Sequence, residues 1–547
     1  MNRTTIFVVA GCILVLVGWQ MLINKLYPPT PKKPVAIAAP ATNDVSNVAT
    51  TVVETVVEQT PLPPEPATLR EAEEFAVLSN AVMRVEFTSW GGGVRTVELL
   101  RHKSMGLGNI ILNGSNSLPA LSLAGVTHAD NNAVFAIERP DALTVVMRAR
   151  NGVTKTFALS NDYVITGRMQ LPGAVAKNVT NLLVAVGTAS PSEPKEPPSY
   201  LVVDWQAASK FRNRTHDRVA DRVKAGQTHE PIRAAWVAVK NQYFAMVVTP
   251  STNVVGVAYT TNAFSQTVSL TAWAEVPLAR AADGSATCTI TEYAGPKDYG
   301  RLAALGRDQD EVMDFGTPLD GYSGLFGALL YHSLGFFHRL VPNYGVAIVL
   351  ATIALKLLFW PIQAQSIRSM KAMQKFQPLM TKLREKYKDD SQRLNAEMMK
   401  LYKEHKINPF SGCLPMLIQL PVLVAFYRVL ISDIALRGAS FLWIKDLSQA
   451  DTIFTIAGMI PINPLPLIMV GTQIWQQRIT PTTGDPQQAK MMQFMPLMML
   501  LFFYKAAAGL TLYWTLQQVL SLAQQWWSMR QDPAASPPRP LPAGKAA

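Results

Sequence analysis

Residues 341–360 read VPNYGVAIVLATIALKLLFW, and Pro361 follows. An apolar run of this length, with Lys356 as its one charge, matches what a helix needs to cross a bilayer. Pro361 is a natural stop, because proline lacks the N–H of the next turn and its ring clashes with the turn before. Composition points the same way. Hydrophobic residues make up 49% of the chain and charged residues 16%, against roughly 25% charged in soluble proteins. The net charge of +12 suits either nucleic acid or a membrane surface, so its location has to decide between them.

Moving outward from Pro361, positive charge collects at once. Arg368, Lys371, Lys375, Lys382, Arg384, Lys386, Lys388, Arg393, Lys400, Lys403 and Lys406 face only Glu385, Asp389, Asp390, Glu397 and Glu404 before Gly412. Loops this basic stay on the cytoplasmic side. Within the segment, Ile367, Met370, Met373, Phe376, Met380, Leu383 and Tyr387 recur at helical spacing. Leu394, Met398, Leu401 and His405 form a second stripe beyond the turn at Asp389-Asp390-Ser391. The pattern predicts an antiparallel helical hairpin over 361–412. Its lysines are a solvated face near anionic lipid on one reading, or a docking surface on the other, with Lys371, Lys375, Lys382, Arg384, Lys400 and Lys403 as contacts.

Further apolar runs follow at Cys413–Ile431, about Ile453–Trp475, Met491–Tyr504 and Leu510–Trp527, the second of these four interrupted by Pro461, Pro464 and Pro466. Leu325–Leu340, apolar along one side, is expected in the membrane interface within a segment 321–340. At the N-terminus, Ile6–Ile23 is broken only by Gln20. Val9-Ala10-Gly11-Cys12 resembles a lipoprotein cleavage box, but the apolar stretch before Cys12 is too short for a signal peptide and continues past it. An uncleaved anchor over 1–27 is therefore expected. The fold class is a polytopic α-helical membrane protein with about six transmembrane helices and both termini cytoplasmic. Residues 341–530 hold five of those helices and the hairpin, and 531–547 form a disordered tail.

The region between differs in kind. Residues 28–70 are rich in Pro, Ala, Thr and Val and read as a disordered tether. From 71 to 320 the period is two. Met83-Arg84-Val85-Glu86-Phe87 alternates, Tyr163, Ile165, Met169 and Leu171 share a face, and Val254–Tyr259 and Thr267–Trp273 are further strands. Turn signals such as Gly91-Gly92-Gly93 and Asp283-Gly284 separate them, which predicts a β sandwich on the periplasmic side. Cys12 and Cys413 lie in or beside apolar runs, so this domain keeps only Cys288 and forms no internal disulfide. No Cys/His cluster has the spacing of a metal site.

Several stretches resemble the YidC family of membrane protein insertases. They are Gln377-Pro378, Glu397-Met398-Met399-Lys400-Leu401-Tyr402-Lys403, Ile407-Asn408-Pro409 with Gly412-Cys413-Leu414-Pro415, and Gln419-Leu420-Pro421. Trp443-Ile444-Lys445-Asp446-Leu447-Ser448 and Thr480-Pro481-Thr482-Thr483 with Asp485-Pro486-Gln487-Gln488 join them. Gly295-Pro296-Lys297 and the stretch from Trp236 to Pro250 match more weakly. The resemblance runs from about Phe75 to Arg530. It implies a supersandwich-type β domain and a hydrophilic groove open to cytoplasm and lipid. It further implies insertion of nascent membrane proteins, alone or beside the Sec translocon, with no nucleotide and no cofactor. The sequence accordingly has no P-loop, Rossmann fingerprint or nucleophile elbow, and no enzymatic activity is expected.

The resemblance also orders the candidate residues. A lone lysine near a span's end can snorkel to headgroups, but the family places a basic residue, often Arg, in the groove where Lys356 stands. Thr352 lies one turn earlier on the same face, and its alternative is a bond to its own backbone. Gln419 and Tyr513 align with polar groove positions, or else make helix–helix hydrogen bonds. Lys505-Ala506-Ala507-Ala508 departs from the aromatic-Phe-Pro-Ser that commonly precedes Gly509. Expected partners are nascent membrane proteins, the Sec translocon, a ribosome–nascent chain complex or targeting factor, and the lipid bilayer. No RNA-binding motif favours direct nucleic-acid specificity. A channel or transporter would want paired intramembrane charges or repeated broken helices, which the sequence lacks. A passive assembly scaffold remains the other alternative.

Overall fold

A computed structural model describes residues 72–104, 108–114, 118–124, 133–177, 179–193, 196–207, 214–218, 228–264, 267–315, 323–361, 363–367, 376–387, 390–404, 414–456, 460–479 and 486–531. The expected anchor, tether and tail beyond Gln531 lie outside these residues, as do Lys371, Lys375 and the motif from Ile407 to Cys413. Every contact described below falls within one compact unit, Glu71–Thr483 with Met492–Ala547.

Alternation builds the first half. In Met83–Thr88, Met83, Val85 and Phe87 are buried while Arg84 is exposed. In Val164–Leu171, Ile165, Met169 and Leu171 point inward and Thr166, Arg168 and Gln170 outward. This is the period of a pleated strand with one dry face. Phe75–Ser79, Met83–Thr88, Gly93–Ser104 and Gly108–Leu112 form a four-stranded antiparallel sheet. Among the described residues a second sheet has 14 strands, set between Leu123 and Pro296. Val254–Phe264 and Thr267–Pro277 pair within it as a long hairpin. Isolated bridges pair Trp90 with Val134 and Val94 with Ala120, and the inner faces of the two sheets share one apolar core.

Several ionisable side chains lie buried within the β domain, among them Lys155, Lys240 with Asp204, and Glu292. The Lys155 ammonium donates to the carbonyls of Gly91 (2.8 Å), Gly92 (2.7 Å) and Leu121 (3.4 Å), and burial pulls its pKa down to about 7. It clasps a loop that only glycine permits. Gly92 has φ +56°, and a Cβ there would sit 2.6 Å from the Phe135 ring. Lys240 donates to Asp204 at 2.6 Å and to the Val312 carbonyl at 2.9 Å.

Glu292 is different. It stands opposite Val248 and Ile165 on the neighbouring strands, fully buried, and neither carboxylate oxygen has a partner among the described residues. Desolvation pushes its pKa well above 4.5. A raised acid pKa adds stability that is complete below 4.5 and is lost as pH rises through the folded value. Glu292→Gln keeps the shape and removes the charge, so the variant is expected to lose this pH dependence and unfold later than the parent at neutral pH. Denaturant unfolding at pH 4, 6 and 8 checks it. Parallel pH profiles for the two proteins would refute the assignment.

The second half is helical. The longer helices are α1 (Ser323–Leu340), α2 (Tyr344–Leu358), α3 (Gln377–Lys386), α4 (Ser391–Glu404), α5 (Leu414–Ser432), α6 (Pro464–Ile479), α7 (Pro486–Phe503) and α8 (Ala508–Gln531). α5 and α2 pack on α1, while α6 and α2 pack on α8. Met380 and Leu401 are buried, one on α3 and one on α4, as a seam between two helices requires. Among the described residues, no helix is long and apolar enough to cross a membrane. The longest, α8, carries Gln517, Gln518, Gln524 and Gln525.

The run expected from about Ile453 starts later. Phe454–Ile456 and Ile460–Ile462 pair as a two-stranded ribbon, and the helix begins only at Pro464. Pro461 denies the segment an N–H, whereas Pro464 and Pro466 fall in the first turn, where helices tolerate proline. Polar bonds tie α5 and its continuation to the β domain. Arg428 meets Asp314 at 2.8 Å, Gln242 donates to the Ile431 carbonyl, and Arg437 pairs with Glu193.

Candidate functional site

The site is built on α2 and α8. Asn343 caps α2, its side chain accepting from the Val346 N–H at 3.1 Å, which starts the helix just after Pro342. Ala347, Ile348, Ala351, Thr352 and Lys356 turn inward, and Leu357 and Leu358 face out. Helical periodicity thus points the one cation of the run into the bundle. Gly509, near the start of α8, lets the backbones approach: a Cβ there would lie 3.2 Å from the Leu447 carbonyl and 3.3 Å from Ile348. Ile348 neighbours Gly509 while Lys356 reaches Ser521, so α2 and α8 run in the same direction.

A continuous line of polar groups follows. The Lys356 ammonium donates to Ser521 Oγ at 2.8 Å, and that hydroxyl donates to the Gln517 carbonyl at 2.8 Å. The Gln517 amide donates to Gln419 Oε1 at 3.1 Å, and Gln419 donates in turn to the Tyr513 hydroxyl. The Tyr513 ring stacks on Phe426 with centroids 4.0 Å apart. On α8 these groups are Tyr513, Gln517 and Ser521, spaced by four, which is one face. Lys356 is 3% exposed, and no carboxylate pairs with it among the described residues.

Beside this line lies a cavity of about 140 Å³ lined by Ile353, Lys356, Leu357, Trp360, Leu520, Ala523, Gln524 and Trp527. Gln524 is buried on its wall, and neither of its amide atoms has a partner among the described residues. The line offers an ammonium, amides and hydroxyls in apolar surroundings. It can bind polar groups and attract negative charge.

Of the candidate residues, the structure brings together Lys356, Gln419 and Tyr513. Thr352 stands apart, fully buried, its hydroxyl donating to the Ile348 carbonyl of its own helix at 2.6 Å. Lys382, Lys400 and Lys403 are exposed on α3 and α4, with Arg384 half-buried, and none belongs to this line. Lys505 is exposed in the turn between α7 and α8. Sequence reasoning missed Gln517, Ser521 and Gln524. The signal was there: Tyr513, Gln517, Ser521, Gln524 and Ser528 recur every three or four residues along one face of the helix.

Comparison with known proteins gives two matches that together cover most of the chain. Residues 336–535 match the model of the 60Kd inner membrane protein family, and residues 76–319 match that of the YidC periplasmic domain. A protein of Nitratidesulfovibrio vulgaris (strain DP4) named membrane protein insertase YidC is 31% identical over 97% of this chain and 99% of its own length. A protein of the same name from Geobacter sulfurreducens is 34% identical over 82% of this chain and 84% of its own. A solved structure titled "Active YidC insertase crystal structure with the first transmembrane domain resolved" aligns over 83% of this chain and 93% of that one. It does so at 18% identity and a TM-score of 0.36, and a likeness at that score carries no argument.

Proposed function

The chain belongs to the YidC family of inner-membrane insertases with a periplasmic β domain, and from that premise we propose that it takes nascent hydrophobic segments into a polar groove and releases them into the bilayer. In this reading about six helices span the membrane, the basic hairpin 361–412 faces the cytoplasm, and α1 lies in the interface. Lys356, Gln517, Ser521, Gln419 and Tyr513 line the groove. Lys382, Arg384, Lys400 and Lys403, with Lys371 and Lys375, meet the ribosome–nascent chain complex or a targeting factor. The chain works alone on some substrates and beside the Sec translocon on others.

One observation carries this reading: Lys356 is buried among apolar helices on a neutral hydroxyl, not on a carboxylate. An ion pair would have satisfied the lysine and closed the site. With Ser521 as its hydrogen-bond acceptor and no carboxylate paired with it among the described residues, the charge is available to a passing anion. The energetics show why that matters. A substrate's apolar segment already favours lipid by a few tenths of a kcal/mol per Leu or Ile. The barrier is its polar flank, where one Asp costs roughly 2.5–3.5 kcal/mol at mid-bilayer. Polar groups reaching partway across shorten the dry path. A membrane potential negative inside then drives an acidic flank outward by about 2.3 kcal/mol per charge per 100 mV.

The test is reconstitution of the purified chain alone into liposomes with a single-span substrate, scoring insertion by protease protection. Insertion above empty liposomes is expected, and none would sink the autonomous part of the proposal. The neutral members should matter modestly. Tyr513→Phe removes one interhelical bond, and such bonds average about 0.6 kcal/mol in membranes, so insertion should slow by roughly threefold or less. A loss as large as that from removing Lys356 would show that hydrogen bonding, not charge, dominates the site.

A further inference from the structure

A second polar concavity lies away from the groove, where the β domain meets the segment that follows α5. About 210 Å³ in volume, it is lined by Arg101, His102, Lys103 and Ser104 from the end of strand Gly93–Ser104, and by Ile434, Arg437 and Gly438. Four of the seven lining residues are basic types and none is a carboxylate. Two of the four are fixed. Arg437 pairs with Glu193, which also accepts from the Ser104 hydroxyl, and its guanidinium lies 5.8 Å from the Tyr243 ring centroid. His102 is 3.2 Å from the Tyr163 hydroxyl and edge-on to Phe244. Burial, then the charges of Arg437, Arg301 and Arg101, lower its pKa, with Asp298 opposing, which disfavours its charged form. Arg301 is taken up by Asp162. The positive potential of the pocket therefore comes from Arg101 and Lys103, which are exposed and meet no acidic partner among the described residues.

We infer that this pocket binds the phosphate of an anionic phospholipid in the outer leaflet. The occupant follows from what surrounds the pocket, and the inference rests on the membrane placement given above. The pocket opens within a few residues of the C-terminus of α5, an apolar helix. α1, which packs on α5, leaves Phe336 and Leu340 exposed, and Leu442 and Trp443 are exposed just past Gly438. Large apolar side chains and a tryptophan mark acyl-chain and interfacial depth. Basic side chains one step beyond them stand at headgroup depth, where each gains from anionic lipid. A free anion or an acidic peptide segment would exploit the charge but would draw nothing from these exposed apolar side chains.

The full-length protein in detergent micelles, titrated with short-chain phosphatidylglycerol or phosphatidylcholine and read by native mass spectrometry, tests this directly. Phosphatidylglycerol should bind more tightly than phosphatidylcholine. Arg101→Ala with Lys103→Ala should weaken the phosphatidylglycerol binding roughly tenfold or more and leave phosphatidylcholine unchanged. The exchange Arg101→Lys with Lys103→Arg should retain it. Equal affinity for the two lipids, or an unchanged alanine variant, would overturn the inference. So would displacement of the lipid by inorganic phosphate or an acidic heptapeptide at comparable concentration. Insertion into phosphatidylcholine liposomes, run alongside, separates the failures: a chain that inserts substrate yet shows no lipid preference loses this inference and keeps its proposed function.

Discussion

Lys356→Ala is expected to slow insertion of a substrate with an acidic translocated flank by roughly 30-fold. The size follows from Coulomb's law: opposite charges about 8 Å apart at an effective dielectric of about 20 attract by about 2 kcal/mol, and that energy is lost with the ammonium. A substrate with a neutral flank should be nearly unaffected. Lys356→Arg should retain most of the rate, since the charge persists and Ser521 remains an acceptor, whereas Lys356→Glu should be slower than Ala through repulsion. Protease protection in proteoliposomes with a matched pair of substrates measures all four. Equal losses for acidic and neutral flanks would assign Lys356 to packing of α2 on α8 and remove the electrostatic step.

The largest effect on stability is expected at Asp204. Its carboxylate holds Lys240 at 2.6 Å with both side chains nearly inaccessible, 4% exposed for Lys240 and 0% for Asp204. Lys297 is buried close by, its pKa pulled down to about 7, first by burial and then by the charge of Lys240. Asp204→Asn leaves Lys240 without its counter-charge beside a second buried lysine. Breaking a buried pair from one side typically costs about 3–5 kcal/mol. The β domain of the variant should therefore unfold at markedly lower denaturant, as read by pulse proteolysis of the full chain. Asp204→Asn with Lys240→Met removes both charges and should recover much of the loss. A single variant as stable as the parent would mean that the pair is not the electrostatic anchor of this core.

Much of this architecture was legible in the residues themselves. Alternation in Met83–Phe87 and Tyr163–Leu171 marked strands because a pleated strand with one buried face has no other period. Helical stripes marked α1, α3 and α4 for the corresponding reason, and an apolar run marked α2. Boundaries were less legible. The run beginning at Val341 becomes a helix only at Tyr344, after Pro342 and the Asn343 cap, and the run from about Ile453 becomes one only at Pro464. Hydropathy cannot register either event, since caps and proline positions act through single N–H groups.

The candidate site divides similarly. Lys356 was visible as a lone cation in an apolar run. Its partner Ser521, 165 residues away, was not, because pairing across that distance depends on which faces of α2 and α8 meet. Gln517 and Gln524 were visible as a stripe, but glutamine in a helix is ordinarily taken for surface. Glu292 shows the opposite limit. Its strand alternates with the correct period, yet nothing in that alternation reveals a carboxylate on the dry face with no partner.

The central claim is that a substrate segment passes along the line from Lys356 to Tyr513. Site-specific photocrosslinking to a stalled single-span nascent chain tests it most directly, with the probe at Lys356, Gln419 or Tyr513 and controls at Leu357 and Leu358, which face outward on the same helix as Lys356. Crosslinks from the three inward positions, weak or absent from the two controls, are predicted. Crosslinks from Leu357 and Leu358 with none from the inward positions would place the substrate outside the bundle and contradict the groove.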